Sequence, residues 1–234
     1  MTDIKGIIFD YGGTIDTNGI HWAEVIWEQY EKAGCNVAKE LFRTAYVHAE
    51  RMLAKQHIIE TSDTFRILLE KKTALQFDYL RKEYNITLTT GQQHSVAQGC
   101  YQKVLDTLAV TRPVVERLSL QYPMILVTNF YGNMPVVLEE FALHNYFRKI
   151  VESSVVGLRK PDPALFALGV KALDIPAENI LVIGDSYRKD ICPASSLGCQ
   201  TIWLKNICWE EEPILPDKEP TAVINNLNEL YSLL

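Results

Sequence analysis

Apolar and polar positions divide the chain into two regimes. Between residues 17 and 96, apolar side chains recur at spacings of three and four, the mark of amphipathic helices. His21–Ala33 places Trp22, Val25, Ile26 and Tyr30 on one face and meets a stop at Gly34. Lys39–Lys55 repeats the pattern with Leu41, Phe42, Ala45, Tyr46, Ala49, Met52 and Leu53. A third helix, capped by Ser62, carries Phe65, Leu68, Leu69, Gln76, Tyr79 and Leu80. A fourth runs from about Gln92 to Thr107, and Pro113 opens a separate short helix that ends at Leu120.

Outside that block the pattern alternates. Strand-like runs occur at Ile7-Ile8-Phe9, Met124–Val127, Ile150-Val151, Ile180–Ile183, Thr201–Leu204 and Ala222–Ile224. Helical patterns occupy Pro135–Leu143, Ala164–Leu173, Ile191–Leu197 and Leu227–Leu234. Uninterrupted apolar runs suit strands buried on both faces of a sheet. The β-α alternation therefore predicts an α/β fold, a doubly wound parallel sheet covered by helices on both sides. The helical block is an insertion: residues 1–16 and 97–234 form the sheet domain, and residues 17–96 a second, all-helical one. Glu210–Pro220, with three prolines and five acids, reads as a solvated surface loop.

Composition narrows the function classes. The 234 residues are 47% hydrophobic, enough for a full core. A formal net charge of −6 argues against nucleic acid, whose phosphates require a basic face. With no apolar run of about 18 residues, no membrane span is expected. The N-terminus enters the first strand without a signal-peptide pattern. Five cysteines, an odd number with no CxxC pair, read as reduced thiols of a cytoplasmic protein. Five scattered histidines lack the spacing of a zinc site.

Chemistry concentrates at strand ends, where open α/β sheets bind ligands. Asp10 ends the first strand and is followed by Tyr11-Gly12-Gly13-Thr14-Ile15-Asp16. A carboxylate there can attack phosphorus or bind a metal, and it can equally cap a turn. Thr128-Asn129 ends the second strand and could hold a phosphoryl oxygen or cap a helix. Lys160, in Arg159-Lys160-Pro161-Asp162-Pro163, precedes a helix and could neutralise a carboxylate or a phosphoryl group. Gly184-Asp185 ends another strand, with Asp190 five residues beyond Asp185. Carboxylates converging on Asp10 would make an oxygen-rich site suited to Mg²⁺.

The ordered set Asp10…Thr14, Thr128, Lys160-Pro161 and Gly184-Asp185…Asp190 resembles the four motifs of the haloacid dehalogenase-like (HAD) superfamily across nearly the whole chain. The helical block falls where that superfamily inserts its C1 cap into a Rossmann-like core. The resemblance implies a Mg²⁺-dependent phosphatase acting on a small phosphorylated metabolite. Asp10 would be the nucleophile and form an aspartyl-phosphate, Thr128 would hold a phosphoryl oxygen, and Lys160 would orient Asp10. Gly13, Thr14 and Asn129 would contact substrate. The metal ligands implied are Asp10, the backbone carbonyl of Gly12, Asp185 and Asp190.

One position departs from the pattern. Phosphatases of the superfamily usually carry a second Asp two residues after the nucleophile, as acid for the leaving group and then base for water. This chain has Gly12 there. Asp16 or His21 could stand in. Two alternatives follow from the gap. Phosphonoacetaldehyde hydrolases have a small residue at that position and use a cap lysine, for which Lys55 is the candidate. A binding or regulatory module on the same fold would need no acid/base at all. The metal-free 2-haloacid dehalogenases fit less well, because Asp185 and Asp190 are both present.

Overall fold

The computed structural model describes residues 3–208 and 218–234. Its centre is a six-stranded, wholly parallel sheet in the order β3-β2-β1-β4-β5-β6. The strands are β1 (Gly6–Phe9), β2 (Met124–Thr128), β3 (Lys149–Glu152), β4 (Ile180–Gly184), β5 (Gln200–Leu204) and β6 (Ala222–Ile224). The first strand shows why its apolar run is unbroken. Ile7 and Phe9 enter one core with Leu126, Leu181 and Ile183, while Ile8 points the other way and packs with Ile125, Val127 and Val182. Successive side chains of a strand alternate between faces, so a strand covered on both sides is apolar at every position.

Between β1 and β2 the chain makes α1 (Trp22–Lys32), α2 (Lys39–Lys55), α3 (Phe65–Tyr84) and α4 (Thr90–Ser119). The remaining helices are α5 (Met134–Glu140), the short α6 (Ser153–Val156), α7 (Pro163–Leu173), α8 (Cys192–Ser196) and α9 (Leu230–Leu233). α7 closes the second core with Leu165 and Phe166. The α/β architecture read from the sequence is therefore the one observed.

Three local expectations need correction. α3 is capped by Thr64, whose hydroxyl accepts the Ile67 N–H, and not by Ser62. The separate helices expected at Gln92–Thr107 and Pro113–Leu120 are one helix of 30 residues, α4, with Pro113 inside it. An interior proline costs a helix about 3 kcal/mol. Here the burial of Val104, Leu108, Val114, Val115 and Leu118 on both sides of it offsets that cost. The division expected near residue 96 falls within this continuous helix. The last helical stretch is also split, into a single 3₁₀ turn, Leu227–Glu229, followed by α9. The loop expected at Glu210–Pro220 lies, up to residue 217, outside the described residues. None of the five cysteines forms a disulfide among the described residues, and no described helix is long and apolar enough to cross a membrane.

Candidate active site

β1 stands between β2 and β4, so the chain's strand order reverses beside it. A crevice forms at the carboxyl ends of the strands at such a point. Asp10 follows Phe9 into this crevice and its N–H bonds the Ile183 carbonyl of β4, at 3.0 Å. The turn that follows must pass very close to β4. Gly13 has φ +97°, and a Cβ there would collide with the Asp185 carboxylate. The Thr111 hydroxyl of α4 braces the same turn by donating to the Ile15 carbonyl at 2.8 Å.

Lys160 joins the acids. Its ammonium donates to Asp10 Oδ1 at 2.6 Å and to Asp190 Oδ1 at 2.7 Å, and all three side chains are buried. Burial alone would lower the Lys160 pKa, but Asp10 and Asp190 raise it above the ordinary value. Asn129 sets where this lysine stands. Its amide donates to the Lys160 carbonyl at 3.1 Å and its oxygen accepts the Lys160 N–H at 2.9 Å. The Thr14 hydroxyl lies 3.0 Å from Asp10 Oδ2 and 3.3 Å from Asp185 Oδ1, and accepts the Asp185 N–H at 3.0 Å. Asp190 Oδ2 accepts the Ser186 N–H at 3.0 Å.

Asp10, Asp185 and Asp190 each offer an oxygen within 4.8 Å of the others. Three carboxylates face one ammonium, so the cluster carries excess negative charge. Burial, with repulsion from Asp10 and Asp190, holds the Asp185 carboxyl well above the usual range. Burial also pushes Asp190 up to about 6, against the pull of Lys160. A largely buried, oxygen-only donor set with uncompensated charge fits a hard divalent cation.

The predicted residues therefore gather, with some roles revised. Asp10, Lys160, Asp185 and Asp190 meet, with the Gly12 backbone beside them and Thr128 in the wall of the same cavity. Gly13, Thr14 and Asn129 were expected to touch substrate. Gly13 and Asn129 both line the cavity, with the Gly13 N–H on Asp16 Oδ1 at 2.7 Å and Asn129 bonded to Lys160, while Thr14 is fully buried as a stitch between two acids. Asp16 has no exposed surface and its other oxygen accepts the Trp22 indole N–H at 3.0 Å, so it braces the turn. Burial raises its pKa to about 7. Lys55 is exposed at the end of α2 and absent from the cavity wall, which removes the proposed cap lysine.

His21 does line the cavity and also caps α1, its Nδ1 accepting the Ala23 N–H at 3.2 Å. Burial, aided by Lys189, lowers its pKa from 6.5 to about 4. Between those values the unfolded chain binds a proton that the folded chain refuses, so acid destabilises the fold. Asn caps helices well and does not titrate. His21→Asn should therefore lose less melting temperature than the parent between pH 6.5 and pH 4. Equal losses in the two proteins would contradict this assignment.

A second polar group in the cavity was not read from the sequence. Lys72 of α3 pairs with Glu50 of α2 at 2.7 Å, and the Tyr131 hydroxyl donates to Glu50 Oε2 at 2.9 Å. Its signal was present. Glu50 lies four residues after Tyr46, and Lys72 four after Leu68, so both sit on the apolar stripes of their helices. A charge on a buried stripe is paired or functional. The cavity, of about 260 Å³, is walled also by Trp22, Tyr46, Phe65 and Phe130.

The chain resembles known proteins in sequence and in fold. A family model described as haloacid dehalogenase-like hydrolase matches residues 4–198. Phosphoglycolate phosphatase 1 of Pseudomonas aeruginosa is 34% identical over 132 residues, 56% of this chain and 45% of that protein. Glyceraldehyde 3-phosphate phosphatase of Pyrococcus abyssi is 33% identical over 99 residues, 40% of each chain. The chain thus matches about half the length, or less, of these curated relatives. Among solved structures, the HAD hydrolase YfnB of Bacillus subtilis, bound to magnesium, aligns over 100% of this chain and 99% of its own with a TM-score of 0.62 and 20% identity. A dehalogenase aligns over 100% and 98% with a TM-score of 0.67 and 14% identity. At these identities the likeness is one of fold.

Proposed function

The chain belongs to the haloacid dehalogenase-like hydrolases, and we propose that it is a Mg²⁺-dependent phosphohydrolase acting on a small phosphorylated metabolite through Asp10. One observation carries the reading: the Asp10 carboxylate is fixed by Lys160 at 2.6 Å inside a triad of acids at the switch point of the sheet. Phosphatase relatives agree with it. Asp10 attacks phosphorus, an Asp10 O–P bond forms, and the bond to the leaving oxygen breaks. Water then attacks the aspartyl-phosphate and regenerates the carboxylate and inorganic phosphate. Lys160 keeps Asp10 aimed. Thr128 borders the space for the phosphoryl oxygens. Thr14, Asn129 and Asp16 act by holding other residues in place. Asp10, Asp185, Asp190 and the Gly12 carbonyl would hold Mg²⁺, which supplies neutralisation of phosphoryl charge.

In this reading residues 17–96 are a C1-type cap and residues 1–16 and 97–234 the catalytic core, with the cap excluding water from the cavity. The phosphonoacetaldehyde hydrolase alternative loses its lysine. Lys55 is outside the cavity, and Lys72, the buried lysine on the helical side, is kept protonated by Glu50 despite its burial. Hydrolysis of a panel of phosphate monoesters with Mg²⁺, and its loss on adding EDTA, is the expected result. No turnover of any ester, p-nitrophenyl phosphate included, would overturn the reading in favour of a binding module.

A further inference from the structure

Phosphoryl transfer makes no use of the pair of Glu50 and Lys72 in the cavity wall. Its two members are not equally accessible. The Glu50 side chain is 29% exposed and the Lys72 side chain 7%. Both residues line the cavity, Lys72 the more deeply, with its ammonium 5.8 Å from the centroid of the Trp22 ring and 5.5 Å from that of Tyr131. Its charge is spent on Glu50, and the Tyr131 hydroxyl takes the second Glu50 oxygen without neutralising it. Glu50 Oε1 is buried against Lys72, so the more exposed member of this overall neutral pair offers the cavity the remaining acceptor capacity of Oε2.

We propose that Glu50, backed by Lys72 and Tyr131, selects phosphate esters whose leaving group is uncharged and hydroxylated, and rejects those carrying a second anion. This rests on the phosphohydrolase reading. A hydroxyl of the leaving group can donate to Glu50. A carboxylate in the same place would meet like charge, which disfavours binding. Arg159 and Lys189 also line the cavity, but both are exposed, where solvent and salt weaken their pull on a second anion. The aromatic walls and the volume of about 260 Å³ restrict the organic part to a few carbons.

The test is a matched pair, glycerol 3-phosphate and 3-phosphoglycerate, which differ by a hydroxymethyl group against a carboxylate. Their affinities are measured by calorimetry with Mg²⁺ on the Asp10→Asn protein, so that turnover does not interfere. Glycerol 3-phosphate should bind about tenfold more tightly. Adding Glu50→Gln should cancel that preference. Because Glu50→Gln leaves Lys72 buried and unpaired, Glu50→Gln with Lys72→Met is measured beside it, and it should level the two affinities. Tighter or equal binding of 3-phosphoglycerate in the Asp10→Asn protein overturns the proposal. So does a preference that survives in both Glu50 variants, or an absence of binding by either ester. If the esters bind with the stated preference but the unmutated chain hydrolyses nothing, the selectivity stands and the hydrolase reading falls.

Discussion

Asp10→Asn should lower turnover of any phosphate ester by about 10⁴-fold or more while the protein stays folded. Loss of a nucleophile removes the covalent route, and in hydrolases that use one it is among the costliest single changes. The structure separates this effect from unfolding. Asn is nearly isosteric with Asp, and Lys160 keeps its second partner, Asp190 Oδ1, at 2.7 Å. The Thr14 hydroxyl likewise keeps the Asp185 N–H at 3.0 Å. Kinetics on p-nitrophenyl phosphate and a thermal melt of the same preparation check both halves. A rate comparable with the parent's in a folded variant would place the nucleophile elsewhere.

Gly12→Asp should act in the opposite direction. A Cβ added at Gly12 meets only the Trp22 indole nitrogen, at 4.0 Å, and Gly12 does not have the left-handed backbone that disfavours a side chain. There is room for the missing acid. Its absence leaves a poor leaving group to depart without a proton, and general acid–base help is worth about 10²–10⁴-fold. The variant should therefore raise turnover of alkyl phosphates by about 10²-fold. p-Nitrophenyl phosphate, whose leaving group needs no proton, should change little. Equal rates on alkyl phosphates before and after the change would mean that proton transfer does not limit the parent. Asp16 is a weak candidate for supplying that proton, since it has no exposed surface and both its oxygens accept N–H groups.

The parts of the molecule legible in the sequence were those fixed by local pattern. Ile7-Ile8-Phe9 and Ile180–Ile183 are apolar at every position because both faces of the sheet are covered, and an acid following such a run has only the sheet's carboxyl edge to occupy. The gathering of residues 10, 160, 185 and 190 follows from that edge. The missed features depend on partners distant in sequence. Pro113 looked like a helix start because its local preference is to break, and only the core packed along α4 overrides it. Lys72 does not stand out on its helix, where a lysine is usually solvated, and its partner Glu50 is on another helix. The roles of Thr14 and Asn129 turned on which neighbour claims a hydroxyl or an amide, and spacing in sequence does not carry that information.

The strand order also bears on how this chain is made. β1 is synthesised first, yet it finds β2 only after residue 124 and β4 only after residue 180. Until then a wholly apolar strand has unpaired edges, the condition under which nascent chains stick to one another. The ammonium and two of the three acids lie at residues 160, 185 and 190, so a chain that stops before residue 190 lacks part of the cluster. Of the six strands, β1 waits longest for its neighbours.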